Sequence, residues 1–239
     1  MQMKAILALA AATLAMTGAH AHAGNYTGNV TLATDYVFRG VSQTQERPAI
    51  QGGFDAAFDN GIYAGVWASN VDFGTDASTE LDFYGGYAAR LSCSSCSYKI
   101  GVAYYRYDGD PQFDYVEAML AFTWGGLTAG LNWSPEYVGD SATDALGDEV
   151  ELYYPYLNYA HPLPFDLTLS LHVAMNLMSE KGLFEPGEDE YTEWSIGLGK
   201  SVGSFSFALT YWDSTIEDLY GVDSSDADAR VVFSVGRSL

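Results

Sequence analysis

Apolar and polar side chains alternate one for one along most of this chain. Val116, Ala118, Leu120, Phe122 and Trp124 occupy every second position, Gly125-Gly126 interrupts, and Leu127, Ala129, Leu131 and Trp133 resume the alternation. A period of two belongs to an extended strand with one greasy face, and two such runs around a two-residue glycine turn predict a hairpin. Read as a membrane-spanning helix, the uncharged stretch 118–135 would carry Gly-Gly at its centre and scatter its tryptophans. The alternation recurs. Val30, Leu32, Thr34, Tyr36 and Phe38 oppose Thr31, Ala33, Asp35, Val37 and Arg39, while Leu167, Leu169, Leu171, Val173 and Met175 oppose Thr168, Ser170, His172, Ala174 and Asn176. One face is apolar throughout, and the other is small and polar.

Twelve such segments are expected, starting near residues 29, 48, 62, 80, 97, 114, 127, 150, 166, 191, 205 and 229. Their connections alternate in length. Short ones fall at 59–61, 92–97, 125–126, 161–165 and 201–204; long ones fall at 40–48, 72–79, 108–113, 134–149, 177–190 and 213–228. This is the pattern of meandering strands with both termini on the short-turn side, as in outer-membrane barrels. A soluble sandwich also alternates, but its loops need not alternate in length. The expected fold is therefore all-β: a membrane-spanning antiparallel up-and-down β-barrel of about 12 strands, greasy side toward lipid and polar side toward the lumen. Tyr36, Phe38, Tyr104, Trp124, Trp133, Tyr137, Tyr154, Trp194 and Tyr211 lie near strand ends, where aromatic girdles meet the headgroups. Arg237 falls in phase with the apolar set of the last strand and is expected to snorkel at the inner headgroup zone, and Leu239 stands where such strands commonly end in an aromatic residue.

Composition adds the compartment. Lys4, an apolar run from Ala5 to Met16 and the small-residue site Ala21-His22-Ala23 read as a cleaved signal peptide over 1–23, leaving 24–239 as the barrel domain of an exported outer-membrane protein. Ten basic side chains stand against thirty-one acidic ones, for a net charge of −21. That sign excludes nucleic acid as a partner and suits cations, or a lipopolysaccharide and lipid surface bridged by divalent ions. Cys93 and Cys96 form either a disulfide staple of one turn or two free thiols; with no His nearby they make no zinc site.

Charges in phase with the polar face are the candidate lumen residues: Asp35, Arg39, Asp55, Glu80, Asp82, Arg90, Lys99 and Glu117. Such groups either set ion selectivity or form salt-bridged struts across a narrow lumen. Arg39 is expected on the inward face near the outer mouth, lining a path or paired with Asp35 or Asp55, with Tyr36 and Phe38 facing the lipid headgroups. Acidic clusters at 140–151, 185–193 and 213–228 are expected in external loops, where they would raise the local cation concentration. None has an EF-hand spacing, so no metal or cofactor is assigned. Ser170 and His172 share a face but stand about 7 Å apart along a strand, too far for a nucleophile–base pair.

The stretches GNVTLATDYVFRGVSQTQERPAIQGGFDAAF at 28–58, GIYAGVWASNVDF at 61–73, ELDFYGGY at 80–87, VAYYRYDGD at 102–110 and YVEAMLAFTWG at 115–125 resemble the bacterial Gcw_chp family, also labelled TorF-family porins. The resemblance implies an outer-membrane barrel and names no solute. The expected function is a porin-like channel for passive diffusion of small polar solutes or ions, biased toward cations and without a covalent step. A structural or adhesive barrel with a plugged lumen is the alternative, and a lipid-modifying enzyme ranks behind both.

Overall fold

The computed structural model describes residues 25–93, 95–219 and 224–239, so the expected signal segment 1–23 lies outside the described residues. In chain order the strands are β1 (Asn25–Ala33), β2 (Val37–Phe38), β3 (Val41–Ser42), β4 (Ala49–Ala57), β5 (Ile62–Asn70), β6 (Thr79–Arg90), β7 (Cys96–Asp108), β8 (Tyr115–Trp124), β9 (Leu127–Ser134), β10 (Leu152–Leu163), β11 (Leu167–Met178), β12 (Glu190–Val202), β13 (Phe205–Ser214) and β14 (Arg230–Ser238). Twelve of them form a closed antiparallel barrel in which each strand pairs with its neighbours in sequence, and β1 closes the ring on β14 from Asn29 opposite Ser238 to Ala33 opposite Ser234. Only β2 and β3 stand apart, as a two-stranded hairpin. The barrel strands begin within four residues of the expected positions. The alternation explains why: Leu32, Phe54, Leu120, Trp124, Ile196, Leu209 and Phe233 are all exposed on the outer wall, whereas their sequence neighbours turn inward. An apolar exterior on a ring with no free edge is the arrangement hydrocarbon requires, because every backbone group is paired within the wall.

The first strand is shorter than its pattern suggests. β1 ends at Ala33, and the following residues leave the wall and fold into the lumen as the β2–β3 hairpin. Arg39 and Gly40 make its turn with φ of 51° and 80°. A left-handed backbone suits Gly40 and is a cost at Arg39, so the arginine is held there by what its side chain touches. Tyr36 and Phe38 consequently do not reach the headgroups: Tyr36 is buried, edge-on against Trp67, and Phe38 packs beside Tyr105. Tyr137 and Tyr154, also expected in the girdle, are buried inside as well. Tyr104, Trp124, Trp133 and Trp194 remain exposed on the outer wall.

The lumen has two different halves. Toward the long-loop end, the hairpin and the loop after β9, which contains the helix α1 (Gly139–Leu146), pack against wall residues to form a buried core that includes Val37, Val41, Tyr105, Tyr115, Ala142 and Val150. This helix was not expected from the sequence. Toward the short-turn end small inward residues such as Thr27, Asn29 and Ala88 are exposed to water. Three inward tyrosines lie flat on the wall here because glycines make room. A Cβ on Gly65 would fall in the Tyr84 ring, one on Gly130 in the Tyr156 ring, and one on Gly101 on the Tyr63 hydroxyl. Tyr84 and Tyr156 thus cover the bare backbone left by glycine on the neighbouring strand, and Tyr63 of β5 reaches across Gly86 of β6 to Gly101 of β7.

Candidate functional site

The constriction is built where the hairpin meets the wall. Arg39, at the hairpin tip, is 4% exposed and Glu117 on β8 is 0% exposed; Arg39 Nη2 donates to Glu117 Oε1 at 2.5 Å. An arginine side chain does not deprotonate in proteins, so this is a charge pair. The guanidinium lies 4.3 Å above the centroid of the Tyr154 ring, 5.1 Å from that of Tyr137 and 4.7 Å from that of its neighbour Phe38. Tyrosine faces carry partial negative charge, so these rings supplement the carboxylate. Burial lifts the Tyr137 phenol above its ordinary value, with the Arg39 charge opposing, which keeps that ring neutral. Glu117 is itself steered: Tyr105 Oη donates to its Oε2 at 3.3 Å and Asn132 Nδ2 at 3.1 Å, leaving Oε1 for the guanidinium. The expected Arg39 partners, Asp35 and Asp55, are therefore replaced by Glu117.

Asp35 instead secures the hairpin root. Its carboxylate accepts from Ser42 Oγ at 2.7 Å, from Thr44 Oγ1 at 2.8 Å and from Arg230 Nη1 of β14 at 2.9 Å. Ser42 and Thr44 were expected in an external loop but are buried within the lumen. Tyr36 Oη donates to Glu80 Oε1 at 3.2 Å, and Tyr191 Oη donates to the Arg39 carbonyl at 3.1 Å. The hairpin's strand ladder joins β2 only to β3; side chains tie it to the wall, together with backbone bonds at its root, from Thr34 N to the Phe233 carbonyl at 2.9 Å and from Asp72 N to the Gln43 carbonyl at 2.8 Å.

Glu80 and Asp82, on β6, are both buried in the same core as Tyr36. Glu193 was expected among the exposed loop acids; it is 0% exposed because it stands inside β12 in the inward phase. Its Oε1 accepts from Tyr154 Oη at 2.5 Å and lies 2.8 Å from His172 Nε2, whose Nδ1 is 2.6 Å from Asn158 Oδ1. His172 is thus engaged by Glu193, Tyr154 and Asn158. The remaining candidates lie in the wider half. Asp55 accepts from Tyr84 Oη at 2.6 Å, and Lys99 Nζ lies 4.4 Å over the Tyr63 ring. Arg90 is exposed at the short-turn end of β6, beside the turn in which Cys93 and Cys96 are joined by a disulfide.

The structure therefore brings Arg39, Glu117, Glu80 and Asp82 into the closed half and leaves Asp55, Lys99 and Arg90 toward the open end. Sequence reasoning missed Tyr154 and Glu193. The signal was available in the strand phase, since both share the inward parity of Asn158 and Ser195, but each sits close enough to a strand end to pass for girdle or loop. No group of His, Cys, Asp and Glu among the described residues has the geometry to hold a metal ion.

The barrel is similar to solved porins. A NanC porin superposes with a TM-score of 0.52 at 10% identity, covering 88% of this chain and 97% of that one. A KdgM porin gives 0.54 at 9% identity, covering 90% and 99%. A second KdgM structure, in complex with disordered oligogalacturonate, gives 0.54 at 9% identity with the same coverage. At such identities the likeness establishes the fold, a closed twelve-stranded barrel of the porin type. No curated protein matches the chain. The family model described as "Bacterial protein of unknown function (Gcw_chp)" matches residues 17–239, and the chain belongs to the Gcw_chp family.

Proposed function

We propose that the chain is a porin-like channel of the bacterial outer membrane, as the TorF label implies, through which small polar solutes or ions diffuse passively with a preference for cations. In this reading residues 1–23 are removed on export, 24–239 form the barrel, and lipid and lipopolysaccharide surround it. The carrying observation is the charge balance where the hairpin meets the wall: the carboxyl groups of Glu117, Glu193 and Asp35 are buried there, against the guanidinium groups of Arg39 and Arg230. A low-dielectric passage with surplus carboxyl groups favours cations and penalises anions. The loop acids Asp140, Asp144 and Asp148 would add to this by concentrating cations at the outer mouth. The KdgM complex holds an oligogalacturonate, which is polyanionic; the carboxyl surplus here supports a solute of the opposite sign.

The obstruction is a loop segment outside the barrel ladders, so its removal should leave the wall intact. Purified protein in planar bilayers under a potassium chloride gradient should give a reversal potential of cation-selective sign, and replacing residues 36–43 by a short glycine linker should raise the conductance. A second reading, a structural or adhesive barrel, is favoured by the pinning of the hairpin through Asp35–Arg230, Tyr36–Glu80 and Arg39–Glu117. Silence of both proteins, each showing the gel shift of a folded barrel on heating, would select that reading over the channel.

A further inference from the structure

The surroundings of Arg39 are those of a bound ligand. Two aromatic faces that do not belong to the hairpin, Tyr154 and Tyr137, lie 4.3 and 5.1 Å from the guanidinium carbon, and a carboxylate oriented by two donors of its own meets it at 2.5 Å. A carboxylate facing planar aromatic surfaces is a general chemistry for binding guanidinium and alkylammonium groups. Yet Arg39 fills the site poorly. Its Nε and Nη1 are buried with no hydrogen-bond partner, while Glu80 Oε2, Asp82 Oδ1 and Glu193 Oε2 are buried acceptors without one. Unpartnered donors and acceptors in one core indicate a head group tethered in a pose set by its backbone, the left-handed turn at Arg39 and Gly40. A free cation has no such tether and can turn to find partners for its remaining N–H groups.

We propose that the chamber of Tyr154, Tyr137 and Glu117 is a recognition site for small organic cations with a guanidinium head group, which Arg39 occupies as a tethered competitor. The inference rests on the channel reading for its biological direction: such cations would be the favoured solutes, each displacing the hairpin tip to pass. The site itself is a matter of binding and is tested separately. The buried groups around the head group are Glu117 and Tyr115 on β8, Tyr105 on β7, Tyr154 on β10 and Tyr137 in the loop; Glu193 on β12 and Glu80 and Asp82 on β6 are buried in the same half.

The probe is methylguanidinium chloride, with potassium chloride as the control at equal ionic strength. By calorimetry on detergent-folded protein, Arg39→Ala should bind the probe saturably and at least about tenfold more tightly than wild type, and adding Glu117→Gln should reverse that gain by about tenfold. In wild type, millimolar probe should speed amide exchange at residues 37–42, where potassium does not. Should Arg39→Ala lose the heat-shifted band of a folded barrel, Arg39→Met, which keeps the apolar stem, and the wild-type exchange measurement carry the test. Folded variants that bind no probe, or binding indifferent to Glu117, would overturn the site. Binding in a barrel that never conducts would leave the site standing and remove the channel. Conduction with no preference for methylguanidinium over potassium and no binding would do the reverse.

Discussion

Glu117 is reached from three sides, by Arg39, Tyr105 and Asn132, and its carboxylate is closed to water. Glu117→Ala would strand a buried guanidinium, a change that elsewhere costs about 3–5 kcal/mol. The urea midpoint of the lipid-folded barrel should fall accordingly; an unchanged midpoint would show that water enters to replace the carboxylate. Close packing sets a second residue-scale expectation. Gly130→Ala drives a methyl group into the Tyr156 ring and should destabilise the barrel by about 1–3 kcal/mol, whereas Gly199→Ala meets nothing nearer than the Phe207 carbonyl at 3.7 Å and should be nearly silent. If the two variants unfold alike, the tyrosines do not lean on the glycines in solution. None of these partnerships could be read from the chain. Arg39 and Glu117 are 78 positions apart, and phase tells only that both point inward, not which pair meets.

At the scale of elements, the wall was legible and the plug was not. Strand phase is imposed by two solvents on opposite faces, lipid outside and a polar lumen inside, so a period of two survives along nearly every crossing. The same period misleads over residues 34–39. There Tyr36 and Phe38 alternate with Asp35, Val37 and Arg39 as a membrane strand would, but the element is a hairpin surrounded by protein, so both its faces are buried. Helix α1 was hidden for a related reason: one short helix in a long polar loop leaves little periodicity to detect. The root of the hairpin offers a test. Asp35→Ala removes the acceptor of Ser42, Thr44 and Arg230 together. Amide exchange at Val37 and Ser42 should rise and conductance increase while the heat-shifted band persists; protection equal to wild type would place the anchor at Arg39 and Tyr36 instead.

Across the whole molecule, acidity occurs in two settings that salt separates. Raising ionic strength from 0.1 M to 1 M shortens the screening length from about 10 Å to about 3 Å. The exposed loop acids lose their reach, while Glu117 and Glu193, closed to solvent, keep theirs. Cation preference should therefore weaken at high salt without vanishing. Complete loss would assign selectivity to the loops and leave the buried carboxyl groups as struts.

The seam between β1 and β14 carries one more implication, for the order of assembly. Every other barrel ladder joins strands that are neighbours in the chain and can zip up locally; this one must bring Ala33 beside Ser234. The next contacts above it belong to the hairpin root: Thr34 N donates to the Phe233 carbonyl at 2.9 Å, and Asp35 meets Arg230 at 2.9 Å. A chain whose ring is still open thus lacks the root anchor of its plug, leaving the tip contacts to Glu80, Glu117 and Tyr191 to hold it. Closure of the ring and fastening of the hairpin root are therefore the same long-range step, and a wall released at this seam would free its stopper at the root.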